Sequence, residues 1–354
     1  MNNRIQVVLV GCGNIARRAH VPAWLANPEV DLVALCDPND AASQQIIDRY
    51  HLTCAKYHSL EELLTHTQPD VVDICSPGFL HIDQATQALK AGCNVLVEKP
   101  PAPSLKAAQD LANLAQHQGL KLGAVLNYRY RDLVMQLKQV ADAGTLGQLV
   151  KVYITHHGPL IYTDAPWLWD EQRSKYLLRE FAIHFIDILV YLLGQPKRIV
   201  QVLPIEQSSI GHTTDLEVTI EFANGALGRI EIVADTTRHS SFFTHINAYG
   251  TAMDAFVRWF PPSVRLVAGQ VNPINLILDE VKSVWDIGSK ILRGQFLKHR
   301  NISHYRVIDA YVDWIAGRED YPLSFEEILP TLRLLDEIEQ QVPSYQKVYS
   351  SLSI

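Results

Sequence analysis

Five short apolar runs punctuate the first third of the chain: IQVVLV (5–10), DLVALC (31–36), DVVDIC (70–75), NVLVEK (94–99) and KLGAVL (121–126). Each is rich in Val, Leu and Ile with little alternation, the pattern of strands buried on both faces. Helical stretches lie between them, including 79–92 and 104–119, each ending near a glycine. Such strand–helix alternation predicts a parallel, doubly wound sheet.

After about residue 147 the periodicity changes. Segments 150–157, 213–222 and 227–235 alternate apolar and polar, which suits a sheet covered on one face. Leu216, Val218, Ile220 and Phe222 form the apolar face of the middle one; Glu217, Thr219, Glu221, Arg229 and Glu231 form a polar one. Asn224-Gly225 marks a hairpin, and a three-residue loop, Asn224 to Ala226, would pair Ile220 with Ile230 and Glu221 with Arg229. Tyr176 to Leu193 reads as a buried helix, too charged to cross a membrane. Helical patterns return at 276–293, 303–317 and 325–341.

A length of 354 residues favours two domains. With 31 Lys and Arg against 38 Asp and Glu the net charge is −7, which argues against a nucleic-acid partner. Cys12, Cys36, Cys54, Cys75 and Cys93 are odd in number and form no C-x-x-C pair. They read as reduced intracellular thiols rather than a disulfide framework or a metal site. With no leader or membrane-spanning pattern, the expected location is cytoplasmic.

The first strand runs into Gly11-Cys12-Gly13-Asn14-Ile15-Ala16, a G-x-G-x-x-A turn opening a helix. Gly11 permits the tight turn, Gly13 lets backbone approach a pyrophosphate, and Ala16 allows close helix–strand packing. Such turns also occur for packing alone. Here Asp37 ends the second strand, where a carboxylate can accept from both ribose hydroxyls of an adenosine. A turn residue before Pro38 is its plainer role. Residues 38–43 offer no cation for a 2′-phosphate, so NAD is favoured over NADP.

Two clusters carry candidate chemistry. Glu98-Lys99-Pro100 closes a buried strand at the carboxyl edge, where Lys99 can stabilise an alkoxide or simply reach solvent. On the helix 176–193, Glu180, His184, Asp187 and Tyr191 fall at i, i+4, i+7 and i+11, one polar stripe on an apolar helix. His184 there is either a structural histidine between carboxylates or a proton acceptor oriented by Glu180.

With these motifs in this order the chain resembles the glucose–fructose oxidoreductase/inositol dehydrogenase (Gfo/Idh/MocA) family over nearly its whole length. GCGNIARRAH is similar to the family's nucleotide turn, Cys36-Asp37 to its second-strand ending, and DVVDICSPGFLH to the segment whose Ser76, Pro77 and His81 line the cofactor cleft. AGCNVLVEKP resembles its most specific signature, Gly123 with Asn127-Tyr128-Arg129 its G-x-x-x-N-x-R stretch, and AIHFIDILVYLLG its H-x-x-D helix. The resemblance implies a Rossmann domain over 1–126 and a substrate-binding and oligomerisation α/β domain with a mostly antiparallel open sheet over 127–354, its last helices packing back on the first domain. It also implies a homodimer or homotetramer through that sheet and a cis Lys99–Pro100 bond.

The implied activity is NAD-dependent hydride transfer at a hydroxyl-bearing carbon of a sugar or cyclitol. His184 takes the hydroxyl proton, Lys99 stabilises the alkoxide, and Glu180 orients the imidazole. Gly11, Gly13, Asn14, Ile15, Asp37, Ser76, Pro77, His81, Glu98, Lys99 and Asn127 are expected around the cofactor. Lys99, Tyr128, Arg129, Trp169, Glu180 and His184 are expected around the substrate. Where relatives usually carry D-x-G-x-H, this chain has Glu180-Phe181-Ala182-Ile183-His184. A non-catalytic nucleotide-responsive regulator, or a reductase of a non-sugar ring, are the competing readings. A basic segment, 297–306, has no counterpart in the resemblance; His304 and Tyr305 open the helix after it and are candidates to reach the pocket.

Overall fold

The computed structural model describes residues 4–158, 176–205, 215–233, 243–268 and 302–342. The chain divides into two units, Met1–Tyr130 with Asn301–Leu332, and Arg131–Arg300 with Arg333–Ile354.

In the first unit β1 (Ile5–Val10), β2 (Val30–Cys36), β3 (Ala55–Tyr57), β4 (Val71–Ile74), β5 (Asn94–Glu98) and β6 (Leu122–Val125) form one parallel sheet in the order β3-β2-β1-β4-β5-β6. Four of these strands hold an almost unbroken buried run, as two helical layers require. The connecting helices are α1 (Val21–Ala26), α2 (Asp40–Tyr50), α3 (Leu60–His66), α4 (His81–Lys90) and α5 (Leu105–Gln118). Asn39, Ser59 and Ser104 cap α2, α3 and α5 by accepting from amides in the first turn. The edge strand β3 was not expected; three partly exposed residues are too few to show a period.

The second unit carries α6 (Asp132–Asp142), α7 (Ile183–Leu193) and a seven-stranded sheet. Its strands are β7 (Leu149–His157), β8 (Pro196–Ile205), β9 (Asp215–Phe222), β10 (Leu227–Val233), β11 (Phe243–Gly250), β12 (Asp254–Trp259) and β13 (Pro262–Val267). Their order is β13-β12-β11-β7-β10-β9-β8, antiparallel except for β7 with β10. Leu216, Val218, Ile220 and Phe222 face the core with Ile154, Ile230 and Ile232. Leu189 of α7 lies against Gly228, where a Cβ would come within 2.8 Å of its side chain. The opposite face is laced by ion pairs: Arg229 meets Glu217 at 2.9 Å, and Glu221 meets Lys197 and Arg198 at 2.6 Å.

Two expectations are corrected. The β9–β10 loop has three residues but begins one earlier, at Ala223, so Ile220 faces Gly228 and Glu221 faces Leu227. The reason is Gly225, whose φ of +84° closes the loop, while Phe222 and Ala226 pair across it. Both registers place the same residues inside, so the pattern could not separate them. The segment Tyr176–Ala182 is a π-helix that becomes α-helical only at Ile183, so Glu180 and His184 are not one α-helical turn apart. His184, Asp187 and Tyr191 keep that spacing. Trp169, the expected helix 276–293 and the first half of the basic segment lie outside the described residues.

Candidate active site

In the first unit the carboxyl ends of the strands bring the expected nucleotide residues to one edge. Going along the sheet, Asp37 follows β2, Gly11 follows β1, Ser76 follows β4, Lys99 follows β5 and Asn127 follows β6. The strand order reverses between β1 and β4, the place where open α/β sheets bind ligands. Gly11 is required there twice over. Its φ is +89°, and a Cβ would sit 2.5 Å from the Ser76 nitrogen. Gly13, by contrast, has nothing within 4 Å of where a Cβ would be, and Asn14 and Ile15 beside it are exposed. Packing within the protein does not demand a glycine at 13, and the open backbone there leaves room for a phosphate to approach.

The Asp37 carboxylate is aimed by the turn itself. Oδ2 accepts from the Cys12 amide at 2.7 Å and Oδ1 from the Asn39 amide at 2.8 Å. Each oxygen keeps a lone pair for a ribose diol. Strand β3 adds a lysine that no motif places here. Lys56 pairs with Asp40 at 2.8 Å and Gln44 at 2.9 Å, so its charge is engaged beside the carboxylate that opens α2.

Lys99 is half-buried, and its bond to Pro100 is cis. Two buried side chains hold this turn. Glu98 Oε2 accepts from the Lys99 amide at 2.8 Å, and His81 Nδ1 lies 2.9 Å from the Pro100 carbonyl, its Nε2 2.8 Å from the Ser76 carbonyl. Ser76 donates to Gln84 at 2.5 Å, and Pro77 precedes the short 3₁₀ turn into α4. Glu98 and His81 thus spend their polar atoms on protein. Asn127 does likewise, donating to Ser303 at 3.0 Å and lying 3.4 Å from His304 Nδ1. Arg129 is buried and donates to the Pro322 carbonyl at 2.9 Å; Tyr128 is half-buried.

The second unit holds Glu180 and His184, both about 5% exposed, and fully buried Asp187. The π-helical turn around Glu180 is anchored by its neighbour Arg179, which pairs with Asp336 at 2.5 Å and Glu339 at 2.7 Å on the helix Phe325–Glu339. π-Turns recur at functional sites because the extra residue re-aims the side chains around it. Nearby, His156 on β7 was not singled out from sequence. It bonds Thr244 at 2.8 Å and packs between the Phe181 and Phe185 rings. Burial, then the charges of His157 and Arg131, lower its pKa to about 4, so it is neutral. Two adjacent histidines in an alternating strand gave no hint that one is core.

An oxidoreductase-family NAD-binding Rossmann domain matches residues 5–125, and a GFO/IDH/MocA C-terminal domain matches residues 134–254. The chain belongs to the GFO/IDH/MocA oxidoreductase family. Among curated members of that family, D-glucoside 3-dehydrogenase of Escherichia coli is 30% identical over 198 residues, covering 54% of this chain and 55% of that protein. Inositol 2-dehydrogenase of Salmonella typhimurium is 27% identical over 207 residues, 58% of each chain. The matched stretch thus spans little more than half the length of these relatives. The WlbA dehydrogenase of Bordetella pertussis, solved with NADH and UDP-GlcNAcA, shares the fold with a TM-score of 0.77 at 21% identity, over 96% of this chain and 95% of that one.

For NAD in a GFO/IDH/MocA first domain, the donor set fits. Open backbone at Gly13 suits the pyrophosphate, and the aimed Asp37 carboxylate suits an adenosine ribose with a free 2′-hydroxyl.

Proposed function

We propose that this protein transfers a hydride between NAD and a hydroxyl-bearing carbon of a sugar, sugar derivative or cyclitol. The observation that carries the reading is the order of groups along the sheet edge: a carboxylate aimed by backbone amides, a glycine turn with open backbone and, two strands on, a lysine on a clamped turn. Bound NAD supplies the hydride acceptor at its nicotinamide ring. Asp37 and the Gly11–Gly13 turn hold the cofactor. The Lys99 ammonium donates to the reacting oxygen and stabilises the negative charge that develops there as the hydride leaves. His184 accepts the hydroxyl proton, which it can do only when neutral. Glu180 orients that imidazole. A homodimer or homotetramer through the seven-stranded sheet belongs to the same reading, and five free thiols suit a reducing, cytoplasmic setting. No described helix is long and apolar enough to cross a membrane.

The test is nicotinamide absorbance with NAD and NADP across a panel of cyclitols, aldoses, glycosides and sugar acids. Reduction of NAD with a panel member, slowed at least about a hundredfold in Lys99→Met although that variant still binds NADH, is the expected result. Tight NADH binding with no turnover in either direction across the panel would favour the non-catalytic regulator.

A further inference from the structure

Hydride transfer needs a cofactor cradle, a lysine and a base. Directly behind the Lys99 turn lies a set of buried ionisable groups that none of these roles explains. His20 and Asp73 are wholly buried, Glu98 is 4% exposed and His304 7%. His20 Nδ1 lies 2.8 Å from Asp73 Oδ2, and its Nε2 lies 2.9 Å from Glu98 Oε1. His304 Nε2 approaches the same Glu98 oxygen at 3.7 Å.

The surrounding donors fix the protons. The Trp24 indole can only donate, and it does so to Asp73 Oδ2 at 2.6 Å. The Lys99 amide can only donate, and it does so to Glu98 Oε2. Asp73 Oδ2 accepts from Trp24 and faces His20 Nδ1, and Glu98 is held ionised against the pull of burial by the hydrogen bonds of His20 and His304, so both ring nitrogens of His20 donate. His20 is an imidazolium bridging β4 and β5. Local geometry delivers it there: the helix after the glycine turn opens as a π-helical stretch, Ala16–His20, whose last residue is this histidine.

Such a triad is a poor way to stabilise a core, because desolvating three charges costs as much as their attraction returns, and apolar residues of equal volume serve as well or better. Its product is geometry. Glu98, ionised and fixed at one oxygen by His20, presents the other to the amide of Lys99, while His81 holds the Pro100 carbonyl from the far side.

We propose that His20 is a positioning residue for this enzyme: as a buried imidazolium between Asp73 and Glu98 it holds Glu98 against the Lys99 amide and so sets where the lysine ammonium meets the substrate. The inference rests on the role of Lys99 proposed above. The groups facing His20 are Asp73 and Cys75 from β4 and its exit, Glu98 from β5, and His304 from α8 (Ile302–Ile315), with Tyr311 of α8 facing Asp73. Burial works against a charged imidazole, but the Asp73 charge overrides it and holds His20 well above the ordinary value. The donor atoms of His20, Glu98 and His304 lie within 4.8 Å of one another, a spacing a divalent cation would also accept. With both nitrogens donating, however, His20 has no lone pair to give a metal, so imidazolium and metal exclude each other.

The test uses the full chain. Nitrogen-15 NMR of the 14 histidines should show a ring doubly protonated at about pH 8.5, where an ordinary imidazole is neutral. Its absence, or stoichiometric zinc in the purified protein, overturns the proposal without any variant. In kinetics, His20→Gln should lower kcat about tenfold while NADH affinity and substrate KM change less than about threefold. In the Lys99→Met background the same substitution should leave the residual rate unchanged. Equal losses in both backgrounds, or a loss confined to KM and NADH binding, would show that His20 does not act through Lys99. Should wild type transfer no hydride at all, the enzyme reading fails and the positioning role with it, while the NMR result still decides the charge state of His20.

Discussion

Single residues at the sheet edge have effects that can be separated. Asp37 is proposed to recognise the adenosine ribose through oxygens aimed by two amides, so Asp37→Ser should weaken NAD binding about tenfold or more and shift preference toward NADP. Fluorescence titration with NADH and NADPH reads both effects; unchanged NADH affinity would mean the carboxylate is only a turn residue. His20 makes a prediction about stability. Its folded-state pKa is raised above 6.5, so its contribution is complete below about that pH and is lost progressively as the pH rises toward the folded value. Between about pH 6.5 and 8.5, the stability advantage of wild type over His20→Gln should therefore shrink, by at most about 1.4 kcal/mol per pH unit. Urea titrations across that range check it, and a pH-independent difference would contradict it. Glu98 acts in the opposite direction. Burial opposes its charge, but hydrogen bonds from His20 and His304 outweigh that and hold it well below 4.5, so its contribution is lost only in acid.

At the scale of elements, α8 lies beside β6. The hydroxyls of Tyr311 and Tyr321 reach the carbonyls of Lys121 and Ala124, and their rings lie over Gly123, where a Cβ would sit 2.7 Å from Tyr321 and 2.9 Å from Tyr311. Gly123→Ala should cost about 1–3 kcal/mol by overpacking, read as a fall in the urea midpoint at unchanged slope. No change would mean that the helix shifts freely. Elements of this kind differ in how legible they were. The parallel strands were readable because burial on both faces leaves a plain apolar run, and the sheet of the second unit because alternation survives on one covered face. The register of β9 with β10 was not, since a shift of two residues keeps every side chain on its face. Nor was the π-turn at Glu180, which needs one extra residue that no apolar period records. Asp73 sat unremarked inside an apolar run because its partners, His20 and Trp24, lie about fifty residues earlier. The placement of the glycine turn, Asp37 and Lys99 at strand ends was legible because the strands before them are plain apolar runs.

At the scale of the whole molecule, the chain keeps five free thiols, with four of them buried. Burial pushes Cys12 and Cys36 up to about 12 and Cys93 to about 11, and raises Cys75 further. Native protein should therefore react with a disulfide reagent at Cys54 alone, which is only partly buried, and release the rest on unfolding. Rapid modification of more than one thiol would contradict that picture. The residues given roles in the proposal fall in both units, the proposed cofactor groups and Lys99 in the first and Glu180 and His184 in the second. Hydride transfer is the claim on which all of these roles depend. It is tested most directly by following the atom itself: a panel polyol carrying deuterium on the carbon to be oxidised, incubated with NAD and the full chain. The account predicts reduced cofactor carrying that deuterium on the nicotinamide ring, formed by wild type and at least about a hundredfold more slowly by Lys99→Met. Reduced cofactor without the label, or none with any polyol despite tight NADH binding, would contradict it.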